Sequence, residues 1–114
     1  MKMFCITINQ DHYEKIKKIG YLPVCLGKKN VDYNFISDNN GESISEKNPY
    51  YGEYTFHYWI WKNEIKNLED NWIGFCQYRK YWIDKKGHEN INDLNNLNEV
   101  VLKEIPSKLL SYES

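Results

Sequence analysis

The chain has 114 residues, which is enough for one small domain and too few for two. Hydrophobic residues make up 41% and aromatic residues 16%, so a core can form and much of it must consist of large rings. The 15 basic and 16 acidic side chains leave a net charge of −1, which does not predict a surface for binding nucleic acid.

The first part of the chain predicts a strand, a helix and a second strand. Residues 3–8 form a continuous apolar run of the kind found in buried strands of parallel sheets. Asp11 can cap a short helix that ends at Gly20. Residues 22–26 form a second apolar run, in which Pro23 favours an edge strand or an extended segment.

A polar loop and an aromatic helix follow. Residues 28–47 are rich in Asn, Asp, Ser and Gly, and loops of this length inside a compact domain are often functional. Asn48 can cap the next helix, and Pro49 fits its first turn. Six residues then recur at helical spacing on one face, and we expect most of that face to lie in the core. These residues are Tyr50, Tyr54, Tyr58, Trp61, Ile65 and Leu68, and Tyr51, Thr55 and Trp59 widen the face.

The last part of the chain predicts one more buried strand. Residues 72–76 are apolar and end abruptly in the polar sequence of residues 77–80. Residues 88–98 are Asn-rich, which favours a loop. Residues 99–112 contain apolar side chains without a clean period, and we expect a helix there.

Strand, helix, strand, helix and strand in alternation predict an α/β fold with a mostly parallel sheet and flanking helices. In such sheets, ligands bind at the carboxyl ends of the strands. A binding site is therefore expected where polar residues follow the three predicted strands. These residues are Asn9 and Gln10, Gly27 and Lys28, and Gln77, Tyr78, Arg79 and Lys80.

Two blocks of the sequence carry a family resemblance. Residues 44–63 read ISEKNPYYGEYTFHYWIWKN, and residues 72–82 read WIGFCQYRKYW. Both blocks resemble the bacterial and viral domain of unknown function 4422 family (DUF4422), whose members are commonly described as exopolysaccharide biosynthesis proteins or glycosyltransferases. The chain departs from the family pattern at Gln77, where His is usual, and at Lys80, where a second Arg is usual.

The resemblance implies a GT-A-like, Rossmann-like fold and a hexosyltransferase-type glycosyltransferase of polysaccharide, capsule or exopolysaccharide biosynthesis. The family domain is about twice as long as this chain, so we expect residues 1–114 to be the amino-terminal part of one such domain, apparently truncated and inactive if it acts alone. Two other interpretations stay open. The chain could be a non-catalytic carbohydrate-binding module that uses its aromatic rings as platforms, or an inactive truncated remnant.

Arg79 is the first candidate for catalysis, because the enzyme must neutralise the charge that grows on a departing diphosphate. It is the only arginine of the chain, and its planar fork suits phosphate. Many GT-A transferases use a metal held by an acidic pair at a strand end, and this strand end has none. We expect Arg79, with Lys80 or Tyr78, to act without a metal, although metal dependence stays open. Alternatively, Arg79 forms a structural ion pair with Glu53.

Glu53 is the candidate general base for the acceptor hydroxyl, and it matches the family's Glu. The alternative is a solvated or Lys-paired helix residue, and His57 one turn further on could also pair with it. Asp38 is expected to contact the sugar or ribose, although an Asx turn explains this residue equally well. Lys47 is expected to contact phosphate. Asn9, Gly27, Gln77, Tyr78 and Lys80 complete the predicted donor-binding residues.

The expected ligands are a nucleotide sugar and a glycan acceptor, with no required cofactor and no nucleic acid. No stretch approaches the roughly 20 apolar residues of a membrane span, and the amino terminus lacks the pattern of a signal peptide. Peripheral association with a membrane-linked acceptor stays open, as does the oligomeric state. The three cysteines lie in apolar runs without a CxxC pair, so we expect buried, reduced thiols in a cytoplasmic protein.

Overall fold

A computed structural model describes residues 1–26, 34–68, 72–83 and 101–104 of the chain. Within these residues, three parallel strands form one sheet in the order β2-β1-β3. The strands are β1 (Lys2–Thr7), β2 (Leu22–Cys25) and β3 (Ile73–Gln77). The predicted α/β class and the three predicted strands are confirmed, with the first and third strands each shifted by one residue. Gly27 and the predicted loop at 88–98 lie outside the described residues.

The strand register places all three carboxyl ends at one edge of the sheet. Thr7 is paired with Cys25 of β2, and Ile6 is paired with Gln77 of β3. β1 is the central strand, and five of its six residues are buried because both faces of the sheet are covered.

Ile36 extends the sheet beyond β2 with a single parallel bridge to Val24. The Cys25 amide donates to the Ile36 carbonyl at 3.0 Å, and the Ile36 amide donates to the Pro23 carbonyl at 3.1 Å. The N–H and C=O of one strand residue point to the same side, so the N–H that Pro23 lacks would point away from β1. Pro23 therefore costs no hydrogen bond between β2 and β1, and the predicted edge position is confirmed.

One face of the sheet is covered by a 3-10 turn (Gln10–His12) and helix α1 (Tyr13–Lys18). The residue that caps this segment is Asn9, whose side-chain oxygen accepts from the Asp11 amide at 2.9 Å, so the prediction of Asp11 as the cap was wrong. Asn9 still has extended backbone angles, which lets its side chain reach back to that amide. The helix ends at Gly20 as predicted, with φ at +84°. The core on this face contains Met3, Cys5, Ile16, Ile19, Tyr21, Cys76 and Val101.

The opposite face is covered by α2 (Asn48–Tyr51) and α3 (Tyr54–Trp59), which continues as a π turn (Ile60–Glu64) and a 3-10 turn (Ile65–Asn67). The Phe56 ring is fully buried and lies 5.5 Å from the Phe4 ring and 6.0 Å from the Phe75 ring, measured between centroids. The core on this face contains Phe4, Ile6, Val24, Leu26, Phe56, Trp59 and Ile60.

The predicted aromatic core face of this helix was wrong for most of its residues, although Thr55 and Trp59 of that face are buried. Tyr50 is 87% exposed, Tyr54 65% and Trp61 58%. The residues that pack inward from α3 and the π turn are Thr55, Phe56, Trp59 and Ile60. Gly52 adopts φ +57° and separates α2 from α3, so one helical period does not run through the whole segment. The face that reaches the sheet is the one that offers Phe and Ile, whereas tyrosine hydroxyls remain in water.

Asn48 does not cap the helix, so that prediction was also wrong. The cap position of α2 is Lys47, and its side chain makes no capping bond. The Asn48 amide instead donates to the Gly52 carbonyl at 2.9 Å and to the Thr55 hydroxyl at 3.2 Å, which bridges the break between the two helices. Pro49 lies in the first turn of α2, as predicted.

Residues 101–104 are not helical, which contradicts the helix predicted from residue 99 onward wherever this segment is described. Val101 forms an antiparallel bridge with Ile83, and the Leu102 amide donates to the Trp82 carbonyl at 2.8 Å. Val101 is buried in the core on the α1 face, so the packing of its side chain holds this stretch against the sheet. No helix within the described ranges is long and apolar enough to cross a membrane.

Candidate functional site

The ends of β1 and β3 form the natural ligand crevice of this sheet. β1 connects to β2 through α1 on one face, whereas the chain reaches β3 through α2 and α3 on the other face. Two neighbouring strands whose connections leave in opposite directions open a crevice at their carboxyl ends. We call this region the β1/β3 crevice and define it by Thr7, His12, Glu53, Gln77, Tyr78 and Arg79.

His12 lies in this crevice, where two contacts fix its ring. Its Nδ1 lies 2.7 Å from the Thr7 hydroxyl oxygen. Its ring is stacked on Tyr78, with centroids 3.3 Å apart and planes 9° apart. The sequence interpretation missed both His12 and Thr7. Their only sequence signal was their position at and just beyond the end of the first predicted strand.

The charges around His12 favour the neutral imidazole. Partial burial lowers the pKa of His12 below its usual 6.5, and the positive charges of Lys15 and Arg79 lower it further. The Asp11 carboxylate raises this pKa but does not cancel those effects.

Glu53 and Gln77 face each other across the crevice. The Gln77 side-chain amide donates to the Glu53 carboxylate at 2.8 Å. Glu53 directly precedes α3, and its backbone carbonyl accepts from the Phe56 amide at 3.0 Å, so the start of the helix sets the position of its side chain. Within the described ranges, the partner of the Glu53 carboxylate is therefore Gln77, and neither a lysine nor Arg79 forms an ion pair with it.

The suggested pairing of His57 with Glu53 was wrong. The His57 ring lies against the Phe75 ring, with centroids 4.3 Å apart, and its Nε2 is buried without a hydrogen-bond partner among the residues described. The two residues meet only through the backbone, where the His57 amide donates to the Glu53 carbonyl at 3.3 Å. His57 thus belongs to the packing between α3 and the sheet.

A tight turn after β3 presents the cationic residues. The Tyr78 amide donates to the Ile6 carbonyl at 3.0 Å, and the Lys80 amide donates to the Gln77 carbonyl at 2.8 Å. These bonds close the turn and hold Tyr78 against β1, while Arg79 and Lys80 are exposed at its tip. Two positive side chains therefore flank the carboxyl end of β3.

The loop over residues 37–45 lies at the same edge of the sheet, but beyond β2. Asp38 follows the Ile36 bridge by two residues and is fully buried, and neither of its carboxyl oxygens has a hydrogen-bond partner in the described part of the chain. An Asx turn requires such a bond, so that explanation of Asp38 was wrong. Its backbone carbonyl accepts from the Ser43 hydroxyl, and the Trp59 indole donates to the Asn40 carbonyl at 2.8 Å, which anchors the loop on α3.

The other predicted donor-binding residues are placed as follows. Asn9 directly follows β1 and flanks the crevice, with its side-chain oxygen engaged by the Asp11 amide. Lys47 is exposed before α2, and no contact between described residues joins it to the crevice. Gly27 lies outside the described residues.

A small cavity of about 210 Å³ lies at the opposite edge of the sheet, near the start of β1. It is smaller than the roughly 300–1,000 Å³ of typical ligand pockets, and the polar strand ends do not reach it. Its lining residues include Met1, Met3, Gly20 and Tyr21. We therefore assign the candidate site to the β1/β3 crevice.

All three cysteines are free and buried, as predicted. Cys5 and Cys76 are register partners on β1 and β3, and a hydrogen bond with Cys5 together with burial raises the pKa of the Cys76 thiol far above its usual value. The described residues contain no group of three or more His, Cys, Asp or Glu side chains close enough to hold a metal ion.

The fold and crevice define a small α/β protein with a parallel sheet and a polar site at the point where the strand order reverses. The chain belongs to the family described as the domain of unknown function DUF4422, whose model matches residues 4–113. The resemblance carried by the two aromatic blocks is thereby confirmed for nearly the whole chain. Comparisons with curated proteins and with solved structures gave no match.

Proposed function

We propose that this chain is a glycosyltransferase, of hexosyltransferase type and GT-A-like fold, that serves polysaccharide or exopolysaccharide biosynthesis. A nucleotide sugar is the donor and a glycan hydroxyl is the acceptor. The observation that carries the proposal is the meeting of a positively charged turn and a hydrogen-bonded carboxylate at the β1/β3 crevice. These are the two kinds of group that sugar transfer from a diphosphate needs, and they come from different elements of the fold.

In this reaction, the bond between the anomeric carbon and the diphosphate oxygen breaks, and a bond from the acceptor oxygen to that carbon forms. Negative charge grows on the departing diphosphate. Arg79 and Lys80, presented together by the turn after β3, supply positive charge for it, and the Arg79 fork suits two phosphate oxygens at once. The Tyr78 hydroxyl offers a further hydrogen bond at the same place.

The acceptor hydroxyl loses its proton as it attacks, and the Glu53 carboxylate takes that proton in the proposed mechanism. Gln77 donates to one carboxylate oxygen of Glu53 and leaves the other available for the acceptor. An amide cannot take a proton at neutral pH, so Gln77 orients Glu53 without competing with it as a base.

Asp38 supports a nucleoside-binding role for the 37–45 loop. Asp38 is fully buried, so a ligand would reach its oxygens only after displacing part of the loop, and the ligand's hydroxyl or N–H donors would then offset the cost of a carboxylate without hydrogen-bond partners. The Ile36 strand position and β3 are three strand spacings apart, which is about 14 Å. A ligand that reaches from the 37–45 loop to β3 needs hydrogen-bond donors near Asp38 and negative charge near Arg79. A nucleoside diphosphate has both.

The remaining expectations are part of the same proposal. Asn9 lines the donor site next to β1, and Lys47 contacts the donor from outside the crevice. Gly27, which lies outside the described residues, completes the predicted donor-binding set. The residues named above supply the charge stabilisation without a required metal or cofactor. A cytoplasmic location is supported by the three reduced, buried thiols. Association with a membrane-linked glycan acceptor would then be peripheral.

A second candidate function is a non-catalytic carbohydrate-binding module. It is favoured by the exposure of Tyr50, Tyr54 and Trp61, because exposed rings can stack on sugars. The two candidates differ in ligand. A transferase binds nucleoside diphosphates, whereas such a module binds free oligosaccharides alone.

The test is calorimetric titration of the purified chain with a panel of nucleoside 5′-diphosphates and, separately, with oligosaccharides. The key variant is Arg79→Lys, which keeps the charge but removes the planar fork, and the matched control is the exposed Lys66→Arg on the far end of the long helical segment. We expect diphosphate binding that weakens about 10-fold in Arg79→Lys, the loss of roughly one charge-assisted hydrogen bond, and is unchanged in the control. Equal affinity in both variants would remove Arg79 from the site, and binding of oligosaccharides alone would favour the module.

A further inference from the structure

We propose that His12 binds the phosphate part of the ligand in the β1/β3 crevice, acting as a hydrogen-bond donor through Nε2–H that Thr7 and Tyr78 hold in place. This inference rests on the proposed function, because it assigns a residue to the diphosphate end of the same site. Neither the sequence motifs nor the family resemblance pointed to this histidine.

The hydrogen bonds around Thr7 set the tautomer of His12. The Thr7 hydroxyl has one proton, and two acceptors lie within reach of it: the His12 Nδ1 at 2.7 Å and the Asn9 carbonyl at 3.4 Å. The shorter contact is the better hydrogen bond, and the Asn9 carbonyl already accepts from the His12 backbone amide at 3.2 Å. The hydroxyl therefore donates to Nδ1, and in a neutral imidazole the proton then resides on Nε2.

The stack with Tyr78 keeps this ring in the crevice. The Tyr78 backbone amide donates a hydrogen bond to the Ile6 carbonyl, which holds Tyr78 against β1. The ring that stacks on His12 therefore belongs to the edge of the sheet. With Nδ1 engaged by Thr7, Nε2 is the remaining polar atom of the ring, and no described residue accepts its proton. Thr7 and Tyr78 hold the ring in place, and the Nε2–H group remains without an acceptor. Such a donor is suited to an anionic oxygen.

The charged groups that face His12 are Lys15 and Asp11 from its own segment and Arg79 from the turn after β3. Together with burial, they keep the imidazole neutral at pH 7, so the unliganded crevice avoids a second positive charge beside Arg79. A bound diphosphate reverses this preference, because its negative charge favours the imidazolium. Ligand affinity should therefore rise as the pH falls below 6.5 toward the lowered pKa of His12.

The experiment measures binding of uridine 5′-diphosphate, guanosine 5′-diphosphate and inorganic pyrophosphate by calorimetry at pH 7.5 and pH 6.0. The test variant is His12→Phe, which keeps a ring on Tyr78 and removes Nε2–H, and His12→Gln provides a second variant with a different shape. The control is His57→Phe, since His57 packs on Phe75 away from the crevice. Circular dichroism and unfolding midpoints show whether each variant is folded.

We expect both His12 variants to bind diphosphate about 10-fold more weakly at pH 7.5, the loss of roughly one hydrogen bond to a charged group. The wild type should gain affinity at pH 6.0 relative to the His12 variants, a comparison that cancels protonation of the ligand's own phosphate near pH 6. Binding by a folded His12→Phe or His12→Gln protein with wild-type affinity and wild-type pH dependence would overturn the inference alone, provided that Arg79→Lys still weakens binding. Absence of any diphosphate binding to the wild type would overturn both this inference and the proposed function.

Discussion

Asn63 and Trp59 both hold the 37–45 loop on the helical layer, and a single methyl group at Gly41 should break the Asn63 contact. Asn63 accepts from the Glu42 amide at 3.0 Å and donates to the Glu42 carbonyl at 2.8 Å, so its side chain pairs with the loop backbone as a second strand would. Gly41 has φ +61°, and a Cβ at this position would overlap the Asn63 Oδ1 and lie 3.1 Å from its Cγ. We predict that Gly41→Ala displaces the Asn63 side chain and breaks both bonds.

The cost of Gly41→Ala follows from two contributions. An alanine at positive φ costs about 1 kcal/mol relative to glycine. Each lost hydrogen bond adds roughly 0.5–1 kcal/mol, at the lower end of the usual range because Glu42 is exposed. The free energy of unfolding should therefore fall by about 2–3 kcal/mol. Gly20→Ala is the matched control, since Gly20 also has positive φ, at +84°, but nothing lies within 4 Å of its added Cβ, and it should cost only about 1 kcal/mol.

The assay is urea unfolding followed by tryptophan fluorescence, and a double-mutant cycle isolates the contact. In an Asn63→Ala background, the overlap and the two bonds are already absent, so Gly41→Ala should cost only the backbone contribution of about 1 kcal/mol. The expected coupling between the two positions is about 1–2 kcal/mol. Equal costs for Gly41→Ala and Gly20→Ala, or an additive cycle, would refute the reasoning.

Three further substitutions test the core and the crevice. Tyr21→Phe removes the hydroxyl that donates to the Leu102 carbonyl at 2.6 Å and should cost about 1 kcal/mol by urea unfolding; burial raises the pKa of Tyr21, so stability should also fall above pH 10 less steeply in the variant than in the wild type. Phe56→Ala empties a fully buried position and should cost about 3–5 kcal/mol in the same assay, whereas a cost below 1 kcal/mol would contradict the packing. Gln77→His should place an imidazole beside Glu53 with a pKa above 6.5 in an NMR titration, and adding Glu53→Gln should abolish the increase.

The parts of the fold that the sequence could predict are those whose signal is local. Each strand is a continuous apolar run, because both faces of a parallel sheet are covered, and each run appears as a strand to within a residue or two. Gly20 ended α1 as expected, because glycine readily adopts the positive φ found there and this preference can be read from the residue alone. The edge position of β2 likewise followed from the missing N–H of Pro23.

The inward face of the long helical segment could not be predicted, because its period is interrupted. Gly52 takes a positive φ that a run of good helix spacing does not reveal, and the π turn after Trp59 changes the spacing a second time. Phe56 of α3 and Ile60 of the π turn then fit the sheet better than tyrosines whose hydroxyls need water. Aromatic content was a correct guide to the core's composition and a poor guide to which rings enter it.

The candidate site depended on strand order, which no local pattern contains. Alternating strands and helices predict parallel pairing but allow β2 as the central strand, and that order would separate Thr7 from Gln77 by a whole strand. The order β2-β1-β3 instead makes β1 and β3 neighbours, so residues 65 or more positions apart, His12 and Tyr78 among them, meet ring against ring. Strand order therefore decides which polar groups can act on one ligand, and it explains why Arg79 could be proposed from its chemistry while His12 became a candidate only in the folded chain.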